Sequence, residues 1–188
     1  MRIACFPEHE VPTELRAQVL RLQQQAWPAD EPLEVGPVHD PLLQPISMLL
    51  LDGERVCSAL DILSKTILVD GREWAASGLS TVVTDEELRG RGYGRRLVRA
   101  ARDQIAASGA DVGLFTCDAS LSRLYESAGW ELLPGTVLVG GTESAPFPSD
   151  QFDKVAFGAF FTAAAARARG AFVGSRIPLY PGTIDRLW

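Results

Sequence analysis

The sequence predicts a mixed α/β fold of the α+β kind, in which a mostly antiparallel central sheet is flanked by helices. Three observations predict it: a meander of apolar stretches in the centre of the chain, a helical pattern on each side of it, and strands that alternate with short helical patterns in the second half. No repeat, low-complexity tract or change of composition marks a linker. We therefore expect a single domain over 1–188, with 163–188 as a C-terminal tail.

The first part of the chain predicts a strand, a helix and a loop. Residues 1–6 have a short apolar strand pattern, and Thr13 is predicted to cap a helix that runs to about Ala26. Residues 30–44 are rich in proline and glycine and have no periodicity, which is typical of a loop. The apolar side chains at helical spacing are Leu15, Val19 and Leu22.

Two Asp-Gly pairs divide the central apolar region into strands. Asp52-Gly53 and Asp70-Gly71 each lie between apolar runs. Such a pair favours a tight hairpin turn, because both central residues of that turn need a positive φ. An antiparallel meander is therefore predicted over 46–51, over 55–63 with 67–69 as its continuation, and over 73–84.

The second half alternates between helices and strands. An amphipathic pattern predicts a helix over 92–108, which Gly109 ends, and 120–128 predicts a shorter helix. The long helix buries the stripe Leu97, Val98, Ala101 and Ile105, and the short one places Leu121, Leu124 and Tyr125 on one face. Strands are predicted over 111–117, 130–133 and 155–161, a polar loop over 134–149, and the tail has no clear pattern.

Composition and charge narrow the class of protein. With 46% hydrophobic and 22% charged residues, the chain is globular rather than disordered. The formal net charge of −6 disfavours binding to the phosphate backbone of a nucleic acid, so we expect no nucleic-acid partner. Three cysteines without a CxxC pair fit a reducing compartment, and two distant histidines predict no metal site. No apolar run reaches the roughly 20 residues of a membrane span, and the N-terminus lacks a signal-peptide core. We expect a cytoplasmic protein without a membrane partner.

The most informative segment leads from a β-run through a glycine-rich turn into a helix. Its glycines are Gly90, Gly92 and Gly94, and they let the backbone approach a ligand closely. The helix N-terminus adds a partial positive charge, and Arg89 and Arg91 add full charges. These residues predict a cradle for a pyrophosphate; the alternative is a surface turn with solvated arginines.

The spacing of the glycines excludes two common phosphate-binding motifs and matches a third. A Walker A motif needs a lysine after the glycines, and the dinucleotide fingerprint needs G-x-G-x-x-G; neither is present. Instead, Arg89-x-x-Gly92-x-Gly94 resembles the Q/R-x-x-G-x-G/A motif of the GCN5-related N-acetyltransferases (GNAT), where it binds the pyrophosphate of acetyl-CoA. Most of a second GNAT pattern, A-x-x-L-Y-x-x-x-G-[FW], is matched by Leu124-Tyr125-x-x-x-Gly129-Trp130. The resemblance is best over 80–133 and implies a GNAT-like fold.

A narrower resemblance concerns the acceptor. The stretch around Tyr125, the run 135–138 and the terminal tryptophan resemble the aminoglycoside 2′-N-acetyltransferases. Two features depart from that group: the terminal acidic residue is one position farther from the tryptophan, and serine stands where the group has a glutamate on the motif-bearing strand. The substrate residues that the resemblance implies are Asp30, Ser80, Thr116, Asp185 and Trp188.

The resemblance also assigns roles around acetyl-CoA. The backbone of Val82, Val83 and Thr84 would follow the pantetheine arm, and a backbone N–H near Val82 would stabilise the oxyanion. Tyr125 is the candidate general acid for the thiolate, its alternative being a packed tyrosine with a solvated hydroxyl. The pyrophosphate would be held by Arg89, Gly90, Arg91, Gly92, Tyr93 and Gly94.

No general base is identified in the sequence. The carboxylates of 85–87 are typical of a solvated loop, His9 and His39 are expected in loops without a catalytic role, and Cys117 is expected to be a buried bystander.

We therefore expect an acetyl-CoA-dependent N-acetyltransferase that acts on a primary amine of a small, cationic substrate, which could be an aminoglycoside. A non-catalytic acyl-CoA sensor and a peptide N-acetyltransferase are the alternatives, and a homodimer is left open. Acetyl-CoA is the co-substrate, and no metal is expected.

Overall fold

The computed structural model of the chain describes residues 1–28 and 35–184. Within them the strands are β1 (Arg2–Pro7), β2 (Ile46–Asp52), β3 (Arg55–Val69), β4 (Arg72–Thr84), β5 (Val112–Asp118), β6 (Glu131–Leu132), β7 (Val137–Gly141), β8 (Pro146–Pro148), β9 (Lys154–Phe160) and β10 (Arg176–Pro178). The α-helices are α1 (Thr13–Ala26), α2 (Tyr93–Ala107), α3 (Ser122–Ser127), α4 (Ala163–Arg167) and α5 (Arg169–Phe172). None of these helices is both long and apolar enough to cross a membrane.

A large mixed sheet of seven strands organises the described residues, in the order β1-β2-β3-β4-β5-β9-β6. Neighbouring strands are antiparallel except β4 and β5, which are parallel. The predicted fold class and the predicted meander are therefore confirmed. The second hairpin turn has the predicted geometry, with positive φ at both Asp70 and Gly71. The first is displaced: Asp52 pairs with Arg55 in the ladder, so Gly53 is the first turn residue.

Helices cover both faces of the sheet. On the α1 face, strand residues such as Leu49, Ala59 and Val83 pack in one cluster with Leu22 of α1. On the α2 face, the predicted stripe of α2 is fully buried in a second cluster, which also contains Leu60 and strand and helix residues up to Trp130 and Phe157. Side chains alternate between the faces along each strand, so the sheet separates two different environments.

The predicted polar loop over 134–149 is wrong. It contains β7 and β8, which form a small second sheet with β10 from the tail, in the order β10-β7-β8. Leu138 of β7 and Ile177 of β10 are buried in a core cluster with Leu63, Val112 and Phe172. The small sheet and the tail therefore pack on the α1 face at the level of Leu63 and Val112. A local pattern misses it, because β7 is flanked by glycines and pairs in parallel with a strand 39 positions later (Arg176↔Val137).

Two details of the helices differ from the prediction. Thr13 is the first residue of α1, and the N-cap is Pro12, which makes no side-chain cap bond. Leu121 lies in a 3-10 turn and is exposed, so the buried face of the short helix is reduced to Tyr125 with Leu124 packed against the core.

Candidate functional site

A gap opens between β4 and β5. Their parallel pairing is limited to two register pairs, Ala76↔Val112 and Ser77↔Gly113. Beyond Ser77 the remainder of β4 has β3 on one side and no paired strand on the other among the described residues. Since the backbone groups of a strand point alternately to its two sides, N–H and C=O groups of 78–84 face this gap. An extended ligand could bind there as an additional strand would.

A β-bulge at Thr81 and Val82 changes the direction of the β4 backbone beside the gap. The register passes from Ala59↔Val83 to Asp61↔Ser80, so that Thr81 and Val82 together lie opposite a single residue of β3. Thr81 has φ 48°, the left-handed region. Of the predicted pantetheine contacts, Val82 packs in the α2-face cluster and Val83 in the α1-face cluster, so the side chains are core residues while the backbone stays available.

The glycine-rich turn places a helix N-terminus at the end of β4. Gly92 is the N-cap of α2 with φ 80°, a conformation that residues with a Cβ disfavour, and it makes no side-chain cap bond. The first N–H groups of α2 therefore keep their capacity to bind an anion, and the helix dipole favours negative charge there.

Gly94 is required by a close approach. A Cβ built on it would lie 3.0 Å from Thr84 Oγ1, so the first turn of α2 packs directly on the end of β4. The Arg89 side chain reaches the same strand end, with Nε donating to the Thr84 carbonyl at 3.4 Å. Arg91 is exposed and Tyr93 is half-buried. All of the predicted pyrophosphate residues are thus brought to one place.

Arg95 is a further candidate, which the sequence analysis did not include in the pyrophosphate site. A Cβ on Gly92 would lie 3.7 Å from Arg95 Nη2, which places the guanidinium over the turn. Its position one turn into α2 was visible in the sequence, but the direction of its side chain was not.

Two of the three acidic residues after β4 form ion pairs with Arg55. Arg55 Nη2 lies 2.7 Å from Asp85 Oδ2 and 3.1 Å from Glu87 Oε2. Asp85 is buried and accepts the backbone N–H of Glu87. The expectation of solvated carboxylates therefore holds for Glu86 and Glu87 and is wrong for Asp85, which is a structural residue at the base of the turn.

Tyr125 lies in an aromatic pocket under the α2 face. It is 4% exposed, and its ring centroid lies 4.9 Å from that of Phe115 on β5 and 5.6 Å from that of Phe157 on β9. Burial raises the pKa of Tyr125, and the nearby Cys117 and Asp118 raise it further. Burial likewise raises the pKa of the Cys117 thiol, to about 12. The phenol therefore holds its proton at neutral pH and Cys117 is not a thiolate, which fits a bystander.

A buried polar cluster lies on the opposite face. Asp61 of β3 accepts a hydrogen bond from Ser47 Oγ on Oδ1 and one from Thr81 Oγ1 on Oδ2, each at 2.5 Å. His39 Nε2 lies 3.3 Å from Oδ2. Asp61 follows Ala59 and precedes Leu63, both packed on the α1 face, so its carboxylate belongs to that face. Sequence reasoning missed this cluster because its members come from four separate segments.

The predicted substrate residues are only partly described. Ser80 is the register partner of Asp61, and Thr116 pairs with Ala156 two positions after Leu114, which packs on the α1 face. Asp30, Asp185 and Trp188 lie outside the described residues. The tail that leads to the last two is held by Lys65 of β3.

Lys65 anchors the tail through backbone carbonyl groups. Its Nζ donates to the carbonyl oxygens of Leu179, of Thr183 at 2.8 Å and of Pro181 at 3.4 Å. Lys65 is four residues beyond Asp61 on the same strand, so the tail approaches the α1 face next to the polar cluster.

Within 1–28 and 35–184 no group of three or more His, Cys, Asp or Glu side chains could hold a metal ion.

Comparisons with known proteins identify a family from the sequence and a fold from the structure. Residues 9–133, more than half of the chain, match a family model described as an acetyltransferase (GNAT) domain. Escherichia coli ElaA is similar in structure, with 14% identity and a TM-score of 0.59 over 84% of this chain and 99% of ElaA. An acyl-CoA N-acyltransferase from Pseudomonas aeruginosa has 13% identity and a TM-score of 0.58 over 84% of this chain and 97% of its own.

A third similar structure is an aminoglycoside 6′-N-acetyltransferase complexed with coenzyme A, with 13% identity and a TM-score of 0.58 over 86% of this chain and 98% of its own. At such identities the likeness establishes the fold. The comparison with curated protein sequences found no match.

Proposed function

Because the chain belongs to the GNAT acetyltransferase family, we propose that it transfers the acetyl group of acetyl-CoA to a primary amine of a small, cationic substrate. The observation that carries this proposal is the gap beyond Ala76↔Val112 and Ser77↔Gly113, with a bulge on one side and an uncapped helix N-terminus at its end. Acetyl-CoA offers an extended amide-bearing arm that suits a strand edge and a pyrophosphate that suits the turn.

The residues of the turn fit the pyrophosphate by charge and by space. Gly92 and Gly94 leave the backbone N–H groups accessible, and Arg89, Arg91 and Arg95 surround them with positive charge. Arg55 pairs with Asp85 and Glu87 of the preceding loop, which reduces their repulsion of the ligand.

The chemistry assigned to the chain has two parts. Stabilisation of the developing oxyanion is assigned to the backbone N–H near Val82, and the bulge that turns the backbone of β4 at this level supports the assignment. Tyr125 keeps its proton at neutral pH and donates it to the departing thiolate. A thiolate in the same apolar surroundings is also made more basic by desolvation, which offsets the higher pKa of the phenol.

The acceptor is proposed from charge and from the resemblance of the sequence. The net charge of −6 favours a cation, and the tail, whose described part is anchored on Lys65 at Thr183, is followed in the sequence by Asp185 and Trp188, which are proposed as acceptor contacts. Asp30, Ser80 and Thr116 are the further proposed contacts. An aminoglycoside with a free 2′-amine is one substrate of this class.

A thiol-release assay with acetyl-CoA and a panel of amines tests the function. The panel should contain aminoglycosides with and without a free 2′-amine, polyamines, simple primary amines and a peptide N-terminus. Amine-dependent release of CoA with a preference for the small cations is expected. Binding of acetyl-CoA without release for any amine would overturn the proposal in favour of a sensor, and a preference for the peptide would favour a peptide N-acetyltransferase.

A further inference from the structure

The polar cluster of Asp61, Ser47, Thr81 and His39 has a feature that packing does not explain. Thr81 keeps φ at 48°, where a β-branched side chain is strained and a glycine would not be. Strained residues persist where their surroundings over-determine them, and they concentrate at functional sites. What the threonine provides here is its hydroxyl, which donates to Asp61 Oδ2 at 2.5 Å.

The cluster leads from the gap into the interior of the α1 face. Thr81 is at the bulge, beside the backbone assigned to the oxyanion. Asp61 is 5% exposed and His39 6% exposed. On its far side His39 lines a cavity of ≈ 490 Å³, together with Glu8, His9 and proline side chains. A continuous set of polar contacts thus connects the bulge with this cavity.

The partners of Asp61 fit an ionised carboxylate. Ser47 and Thr81 both donate to it, and an ionised carboxylate can only accept. His39 Nε2, at 3.3 Å, can supply a third donor to the same group. Because the Thr81 hydroxyl already donates to Oδ2, a proton can pass to this carboxylate along an existing hydrogen bond.

We propose that Asp61 is the proton acceptor for the amine and that the Thr81 hydroxyl is its link to the gap. This proposal rests on the proposed function and supplies the general base that the sequence does not identify. Tyr125 lies on the α2 face and the Asp61 cluster on the α1 face, so acid and base act from opposite sides of the sheet.

Protons are conserved over the reaction. As the bond from the amine nitrogen to the acetyl carbon forms, the nitrogen gives one proton to Thr81 Oγ1, which passes its own proton to Asp61 Oδ2. As the bond from carbon to sulfur breaks, Tyr125 gives its proton to the thiolate. Asp61 then loses a proton to water and Tyr125 regains one, so a neutral amine and acetyl-CoA yield the amide and the free thiol.

Several charged groups face the cluster from the elements packed around it. The buried Glu8 carboxylate accepts the backbone N–H of Val38 at 2.7 Å and of His39 at 3.3 Å. Arg16 of α1 donates to the backbone carbonyl of Glu8, and the exposed His9 lines the same cavity. The Glu8 carboxylate thereby holds the backbone of His39 in position.

Substitutions at both ends of the link test the proposal. Asp61→Asn keeps the shape and removes the base, so kcat should fall about 10²–10⁴-fold with an unchanged dissociation constant for acetyl-CoA. Thr81→Ser keeps the hydroxyl and should stay within a few-fold of the wild type. Thr81→Gly relieves the backbone strain and removes the hydroxyl, so it should melt no lower than the wild type yet turn over at least about 10-fold more slowly.

A matched control is Asp111→Asn. Asp111 also bonds on both oxygens, to the backbone N–H of Ala75 and to Thr162 Oγ1, at the closed end of the same sheet. It should lower the melting temperature without a comparable loss of kcat. Equal kcat in Asp61→Asn and the wild type would overturn the relay and leave the proposed function intact. A wild type that releases no thiol would overturn the proposed function and the relay with it.

Discussion

The two sides of the gap are built in different ways. The proposed donor side, made of the turn and the first turn of α2, consists of consecutive residues from Arg89 to Arg95. The proposed acceptor side brings together Ser47, Asp61, Thr81 and His39 from four segments, and the tail is added by an anchor on β3. A common ligand can be recognised by a short contiguous motif. An acceptor site assembled across the sheet can change one residue at a time while the donor site stays the same.

The largest effect is expected on the donor side, from Gly92→Glu. The substitution puts a Cβ at φ 80° and a negative charge beside the helix N-terminus, so the dissociation constant for CoA should rise at least about 100-fold in calorimetry. Gly71→Glu is the matched control: Gly71 has φ 72° in a hairpin turn where a Cβ would meet no atom within 4 Å, and its strain should leave CoA affinity unchanged. Equal CoA affinity in Gly92→Glu and the wild type would remove the basis of the donor site.

The next prediction concerns Tyr125 on the α2 face, whose substitution should lower turnover rather than substrate binding. Tyr125→Phe keeps the ring against Phe115 and Phe157 and removes only the hydroxyl, so kcat and kcat/KM should fall together by about 10²–10⁴-fold. Because burial raises the pKa of Tyr125, its phenol stays protonated up to its ordinary value near ~10, and it should cause no loss of rate at pH 7–9.

Cys117→Ala is the control for this pocket, since it changes a buried neighbour without removing the acid. It should turn over nearly as fast as the wild type. If Tyr125→Phe also had the wild-type kcat while chemistry was rate-limiting, Tyr125 would be a core residue and the acid would have to be sought elsewhere.

The smallest effect is expected at the acceptor end of the tail. Deletion of 183–188 removes Asp185, Trp188 and one of the carbonyl groups that Lys65 holds, so KM for the amine should rise roughly 10-fold and KM for acetyl-CoA should stay the same. Lys65→Met keeps the tail and releases its anchor, and a rise of only a few-fold is expected in steady-state kinetics. Loss of CoA binding in the deletion variant would mean that the tail supports the fold rather than the acceptor.

Local sequence patterns were sufficient to predict most strands of the large sheet and the helices that cover it. The stripe of α2 predicted its buried face, and Asp70-Gly71 predicted a turn at the correct place, because both signals depend on neighbours within one or two turns of chain. The small sheet was missed for the opposite reason: Val137 and Arg176 are partners only after the tail has folded back. Thr13 and Leu121 were misassigned because capping and burial depend on what the chain packs against.

The sequence by itself determined the family motif, the glycine-rich turn and the position of Tyr125 before Gly129-Trp130, since each is a contiguous run with a local conformational requirement. Only the tertiary structure decided which side chains meet across the sheet. Strand register placed Asp61 opposite Ser80, the bulge turned Thr81 toward it, and a loop brought His39 to the same carboxylate. A pairing of this kind depends on the register of three strands, and no spacing along the chain encodes it.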